Sequence, residues 1–250
     1  MSSLNFKKHY RIELAKTLSA HYYSVWEKGK KKEKFLGHFP SVTTCLQAYP
    51  TSEQLIKWMG EKGFHESREI RDAAGRAGTK IHSVIDALLQ GSVIQELSYT
   101  TEEWFKLKSF VEWYGEYKPE IIMTEFPVFS KKGQYAGRVD CVAKINGEIY
   151  LLDWKSSRSI HESAILQVSA YANAVEENTD IKIVNTAILQ MGAQNKNGYR
   201  FVVQNDWRDQ YKVFQHVQAT WRYDVYDSKK NPKEPPVLVL PAELKLDMVK

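Results

Sequence analysis

The chain has 250 residues, is 43% hydrophobic and carries seven Trp and fourteen Tyr, a content that suits one large domain or a domain with additions. Its net charge of +5 and pI of about 8.9 permit a polyanionic partner without requiring one. No run approaches the roughly 18 apolar residues of a membrane span, and the opening "MSSLNFKKHYRIELAKTL" lacks the apolar core of a secretory signal. Two cysteines, Cys45 and Cys141, supply neither a disulfide framework nor the four ligands of an iron–sulfur cluster. A reducing, cytoplasmic setting with no membrane partner is expected.

Residues 21–40 are expected to form a hairpin, with aromatic runs flanking a turn at Gly29 in the basic stretch "EKGKKKEK". Ser41 is placed to cap a short helix that Pro50 stops, and Ser52 to cap a second. From Glu66 to Gln90 the apolar residues Ile81, Val84, Ile85, Leu88 and Leu89 recur at helical spacing. Thr101, with Glu102 and Glu103 after it, opens another helix that ends near Pro119. Three strands follow, "IIMTEFPVFS", "QYAGRVDCVAKI" and "EIYLLDWK", the last two joined by an Asn146–Gly147 hairpin turn. A helix over roughly 161–177 is rich in small residues that allow close approach to a sheet. "IKIVNTAILQM" and "GYRFVVQ" are further strands, and Asp206 caps a last helix to about Tyr223. Residues 225–250, rich in Pro and Lys, read as a loosely packed tail that could alternatively dock a partner such as a strand-annealing protein. The pattern predicts an α/β core at 119–224, with a mainly helical region at 1–118 packed against it.

Side chains alternate along a strand, so Asp153 and Lys155 point the same way at the end of "EIYLLDWK". A carboxylate can hold a hard divalent cation. A neighbouring ammonium can orient or deprotonate a water, or neutralise charge developing on a phosphate. Together they suit phosphodiester hydrolysis. Alone, the pair is better read as a surface ion pair worth under about 1 kcal/mol. Asp140 changes the odds. It lies as far before the Asn146–Gly147 turn as Asp153 lies after it, which makes the two near partners across a ladder. Two such carboxylates repel unless a cation sits between them. The alternative, one aspartate paired with Arg138 and the other with Lys155, stays open. Gln167 and Tyr171, four apart, share a face of the following helix. His82 borders the apolar stripe of its helix, where histidines are usually plain boundary residues. It could instead reach a metal, with Asp86 one turn on to orient it.

In order, "GTKIH", "TEFPV", "GRVD", "LLDWKSS" and "QVSAY" resemble the RecB-type branch of the PD-(D/E)XK nuclease superfamily. "FPSVTTCL" resembles the opening of single-strand exonucleases in that branch, those of mitochondrial genome maintenance and of phages among them. The likeness covers about residues 40–191. It implies a mixed sheet flanked by helices, and Mg²⁺ or Mn²⁺ held by Asp140, Asp153 and the Trp154 carbonyl, with His82 as a further ligand. It implies Lys155 at the attacking water and Gln167 and Tyr171 beside it. Glu125 falls where relatives often carry an acid, although Pro127 marks that strand as a possible edge. With two cysteines the iron–sulfur variant is excluded, and with no GxxxxGK[ST] loop no ATP is expected.

The function these residues point to is a metal-dependent DNA exonuclease of single strands or ends, serving replication, recombination or repair. An endonuclease of the same superfamily, a double-strand-end-resecting enzyme working with a strand-annealing protein, and a DNA-binding module without chemistry are the alternatives; RNA is not excluded as substrate. Arg76, Lys80, Ser156, Ser157 and Arg158 are the candidate nucleic-acid contacts. Arg68 and Arg71 on the approach to His82, together with Trp26, Trp58, Trp104 and Trp113, suggest a basic, aromatic cover over the cleft that would admit an unpaired strand.

Overall fold

A computed structural model describes residues 9–15, 20–29 and 32–224. The expected tail at 225–250 lies outside the described residues, as does part of the basic turn near Gly29. The main body is α/β, built on one mixed five-stranded sheet flanked by helices.

The N-terminal sheet holds β1 (Tyr10–Ala15), β2 (Tyr22–Lys28) and β3 (Glu33–Pro40), all antiparallel. The β2–β3 hairpin is the expected one, but the β1 strand is not foreshadowed: "YRIELA" lacks the turn signals that would mark it. Helix α1 (Val42–Cys45) starts at Ser41, whose hydroxyl accepts from Thr44 N–H. Helix α2 (Glu53–Lys62) starts at Ser52, whose hydroxyl accepts from Leu55 N–H. Helix α3 (Phe64–Leu89) follows after a single glycine, Gly63, at φ 78°. Helix α4 (Thr101–Tyr117) opens at Thr101 as expected, with Thr100 as its cap. Thr100 accepts from Glu103 N–H while the Glu103 side chain accepts from Thr100 N–H, a reciprocal box that satisfies two orphan donors.

The main sheet has the order β4 (Glu120–Ser130), β5 (Tyr135–Ile145), β6 (Glu148–Lys155), β7 (Asn185–Met191) and β8 (Tyr199–Gln204). Only β6 and β7 run parallel, joined across helix α5 (Glu162–Asn178). Asn146 and Gly147 adopt φ 51° and 88°, the positive values a two-residue hairpin turn requires. Pro127 is tolerated because β4 is an edge strand. Helix α6 (Trp207–Arg222) closes the described chain. Asp206 occupies the N-cap position, but its side chain accepts from the Gln210 side chain instead of a main-chain N–H of the first turn.

Each sheet face has its own apolar cluster. Ile81 and Ile85 of α3 and Leu107, Phe110 and Trp113 of α4 pack with Leu152 and Trp154 on one face. The alanines of α5 and Phe214 and Trp221 of α6 pack with Leu151 and Val142 on the other. Ala15, Tyr22, Val42 and Cys45 join this second cluster, which ties the N-terminal segment to the main sheet. The small residues of α5 allow the close approach expected of them. At Gly137, facing α5 from β5, a Cβ would overlap the ring of Tyr171. Among the described residues no helix is long and apolar enough to cross a membrane.

Candidate active site

Five elements supply the site: α3, β4, β5, the C-terminal end of β6 and α5. Leu151 points to the α5 side while Leu152 and Trp154 point to the α4 side. Alternation therefore turns Asp153 and Lys155 toward α5. Lys155 Nζ lies 2.8 Å from Asp153 Oδ2 and donates to Gln167 Oε1 at 3.2 Å. Gln167 Nε2 in turn donates to the Tyr171 hydroxyl at 3.3 Å. The Gln167–Tyr171 spacing thus orders a chain of donors behind Lys155.

The β5–β6 ladder runs from Ile145 opposite Glu148 to Cys141 opposite Leu152. Continued by one pair, that register sets Asp140 against Asp153, as counting outward from the turn predicts. The strands part there, and Trp154 N–H donates to Asp140 Oδ2 at 2.8 Å. The other oxygen of Asp140, Oδ1, is 3.4 Å from His82 Nδ1. Asp86 does not orient that histidine. Its two oxygens accept from Thr124 Oγ1 at 2.8 Å and from Gln90 Nε2 at 2.7 Å, so it ties α3 to β4 instead.

Beside Thr124, Glu125 takes φ 46°, a left-handed conformation that costs a side-chain-bearing residue about 1–3 kcal/mol. The ladder pairs on either side, Thr124 with Cys141 and Phe126 with Val139, bracket it with Asp140, and Arg138 Nη1 sits 3.3 Å from its Oε2. Arg138 therefore serves Glu125 rather than either aspartate, whereas Lys155 does pair with Asp153 as the alternative reading allowed.

The donor set fits a divalent cation. Ligand atoms of His82, Glu125 and Asp140 all lie within 4.8 Å of one another, a spread that a cation with ligands at roughly 2.0–2.6 Å can span. Asp153 Oδ2 is buried and, despite its nearness to Lys155, accepts no well-directed hydrogen bond. Charge on these groups is costly without a counter-ion. Burial raises the Asp153 pKa, and Asp140 raises it further against the pull of Lys155. Burial also raises the Glu125 pKa, with Asp140 adding to it and Arg138 opposing. At Lys155 burial opposes the charge, but Asp153 and Asp140 outweigh it and hold the amine protonated.

A cleft of about 800 Å³ opens over these groups. Gly78, His82, Glu125, Asp140, Lys155 and Ser156 are on its wall, as is Thr43 from the N-terminal segment. A smaller cavity of about 310 Å³ lies on the other side of Lys155, toward the start of α5. Of the five candidate nucleic-acid contacts, Ser156 and Ser157 line the cleft. Arg158 lines a separate cavity next to it. Arg76 is exposed on α3 and is not part of the cleft wall. Lys80 is turned away, paired with Glu103 at 2.8 Å and 5.1 Å from the centre of the Tyr99 ring. Trp113 is fully buried among core aromatics, so it cannot stack on a base. Trp104 stacks on Tyr99, and Trp26 lies beneath the Arg11 guanidinium.

The chain is 26% identical over 160 residues to human mitochondrial genome maintenance exonuclease 1, a match covering 56% of this chain and 45% of that protein. The likeness points to a nuclease family. The chain spans less than half the length of that curated relative. No protein-family model matches it. A crystal structure of SSO0001 superposes with a TM-score of 0.39 at 12% identity, over 72% of this chain and 73% of that one, a likeness too loose to assign a fold.

Seen as a nuclease cleft, the site contains groups that the sequence does not single out. Thr43 has a signal, since it sits inside "FPSVTTCL". Arg138 suggests, in sequence, only a partner for an aspartate. Tyr23 of β2 has no signal: its position near Arg138, Glu125 and Tyr171 depends on how the N-terminal sheet docks, which no local pattern encodes.

Proposed function

We propose that the protein is a metal-dependent deoxyribonuclease of the RecB-like PD-(D/E)XK kind, acting as an exonuclease on single-stranded DNA or DNA ends. The observation that carries this reading is the gathering of His82, Glu125 and Asp140 ligand atoms within 4.8 Å of one another, beside the Asp153–Lys155 pair that Gln167 braces. The nuclease likeness of the chain supports it independently.

His82, Asp140 and Asp153 would hold Mg²⁺ or Mn²⁺ together with the Trp154 carbonyl, and Glu125 lies close enough to share in the binding. Bound there, the ion supplies Lewis acidity at the scissile phosphate. The protein's own groups do the rest. An ammonium has three donors; Gln167 takes one and Asp153 sits against the amine as an ion pair, which leaves a donor for the cleft. Lys155 orients a water and steadies developing negative charge. Gln167 and Tyr171 keep that ammonium in place. Ser156 and Ser157 offer hydroxyls to the phosphates of the strand. No ATP and no iron–sulfur cluster enter this scheme.

The test is digestion of an end-labelled linear single strand in Mg²⁺ or Mn²⁺, with chelator and Asp153→Asn as controls. Shortening products from the wild type, absent in both controls, are expected. Undegraded DNA in both metals would overturn the proposal and leave a binding module.

A further inference from the structure

Arg158 and Arg200, both exposed, make no close salt bridge among the described residues, although the charge of Arg158 acts on the Glu102 carboxylate, which lines the same cavity. They line a cavity of about 660 Å³ beside the cleft, between the start of α4, the loop after β6 and the tip of the β7–β8 hairpin. That volume lies within the roughly 300–1,000 Å³ of small-ligand sites. Lys106 adds a third cation, partnered by Glu102 at 2.7 Å. Phe105, 47% exposed, puts an aromatic ring into the same basic concavity.

The walls are held in place. Gln190, almost fully buried, donates to the Ser157 carbonyl at 3.0 Å and fixes the catalytic loop to β7. Gly198 takes φ 71°, and a Cβ there would stand 2.9 Å from Ser109 Oγ and 3.2 Å from the Phe105 ring. The hairpin tip is thus packed tightly on α4. Asn195 Nδ2 donates to the Tyr199 carbonyl at 2.8 Å, which leaves its amide oxygen as an acceptor. Ser156 and Ser157 line both this cavity and the cleft, so a chain crossing Lys155 runs from one into the other.

We infer that this cavity is a subsite for the nucleotide flanking the scissile phosphate, an inference that rests on the nuclease reading above. Guanidinium forks match phosphate oxygens in two-pronged fashion. Arg158 and Arg200 hold the phosphate, and Phe105 carries the base by stacking. Because every base has a flat face, the subsite grips the strand without demanding a sequence. Substrates too short to fill it bind poorly.

Binding of a fluorescein-labelled single-stranded oligothymidylate to the metal-free protein in chelator, followed by anisotropy across a salt series, tests this apart from cleavage. Arg158→Gln combined with Arg200→Gln is expected to weaken binding about tenfold, and to lower the slope of log affinity against log salt by about 0.7 for each phosphate that is no longer neutralised. Phe105→Ala is expected to weaken binding about tenfold with the slope unchanged. Lys144→Gln combined with Lys212→Gln removes the same charge elsewhere and is expected to change affinity less than twofold. Thermal melts establish that each variant is folded. If the arginine pair falls no further than the lysine pair, the arginines act only as general surface charge and the subsite is wrong, while cleavage by the wild type still stands. If the wild type neither binds nor cuts the strand, the nuclease reading fails and takes the subsite with it.

Discussion

The main-chain N–H of Trp154 donates to Asp140 Oδ2 at 2.8 Å, just past the last ladder pair of β5 and β6. Asp140 therefore has two tasks. One oxygen holds the strands together where they part, and the other faces His82. The two tasks separate by substitution. In Asp140→Asn the amide oxygen can still accept from Trp154, so the melting temperature is expected to stay within a few degrees while cleavage falls at least about 10²–10³-fold. In Asp140→Ala the buried N–H is left unsatisfied, and stability is expected to drop by about 1–3 kcal/mol as well. Denaturant melts alongside a gel assay read both effects. Near-wild-type cleavage by Asp140→Asn would remove this residue from the mechanism.

Lys155 is held by Asp153 and Gln167. Lys155→Ala is expected to abolish cleavage while Mn²⁺ binding, read by calorimetry, is largely kept. Lys155→Arg restores the charge but replaces a compact ammonium with a planar fork, so it is expected to remain far below wild type. Gln167→Ala frees the ammonium without removing it, and about a tenfold loss in kcat is expected. Equal losses in metal affinity and in cleavage for Lys155→Ala would instead make the lysine part of the binding site.

His82 gives the site a pH dependence with a definite sign. Burial works to lower its pKa, but contact with the Asp140 carboxylate outweighs this and lifts it to about 9. In the unfolded chain imidazole titrates near 6.5. A raised folded pKa stabilises the metal-free protein below about 6.5, and that contribution is lost as the pH rises through about 9. A cation that takes the imidazole must displace its proton. Mn²⁺ affinity is therefore expected to climb with pH between about 7 and 9, with about one proton released from this group. His82→Ala should flatten that climb and weaken Mn²⁺ more than Mg²⁺, which prefers oxygen ligands. Calorimetry in two buffers of different ionisation enthalpy counts the proton. An unchanged count in His82→Ala would exclude imidazole from the ligands.

Gly137 faces Tyr171 so closely that a Cβ would overlap the ring. Gly137→Ala is expected to destabilise the protein by about 1–3 kcal/mol through overpacking. It should also shift Tyr171 and, through it, the Gln167 brace on Lys155. Cleavage is expected to fall more than stability alone accounts for, measured well below the melting temperature. Unchanged activity would show that α5 yields without disturbing Lys155.

Much of this site is legible in the sequence because it is built from near neighbours. Asp140 and Asp153 flank one hairpin turn, so the Asn146–Gly147 signal fixes their register. Gln167 and Tyr171 follow from helical spacing, and Ile81 and Ile85 fix which face of α3 meets the sheet and so where His82 emerges. Relationships across packed elements are hidden. Asp86 turning to Thr124, Lys80 turning to Glu103, and Arg138 choosing Glu125 over the aspartates each depend on how α3 and β4 dock. The left-handed backbone of Glu125 is hidden too, since glutamate carries no preference for it. Trp113 suggests a stacking platform in sequence but is core in the structure, because an aromatic on an amphipathic helix reads the same whether it faces the core or DNA.

Cleavage is expected to need a free end and an unpaired strand. Along α3 from Phe64 to Lys80 nearly every side chain is exposed, with Ser67 the buried exception. Ile56 of α2 and Phe64 and Ile70 of α3 add exposed apolar surface to the basic residues Arg68, Arg71 and Arg76. The same helix continues into the cleft wall at Gly78 and His82. Basic and apolar groups along a helix that runs into the cleft wall can follow one strand, holding its phosphates and stacking its bases. A duplex, about twice as wide, would be shut out of a channel fitted to one strand. A linear single strand is therefore expected to be degraded at least tenfold faster than a circular one of the same sequence, and faster than blunt duplex. Arg71→Gln combined with Arg76→Gln should weaken binding of the linear strand and lower its salt dependence. A circular strand cut as fast as the linear form would overturn threading and make the protein an endonuclease. A blunt duplex degraded as fast as the single strand would instead require an opening wide enough for a paired end, and α2 and α3 would then have to stand clear of the cleft.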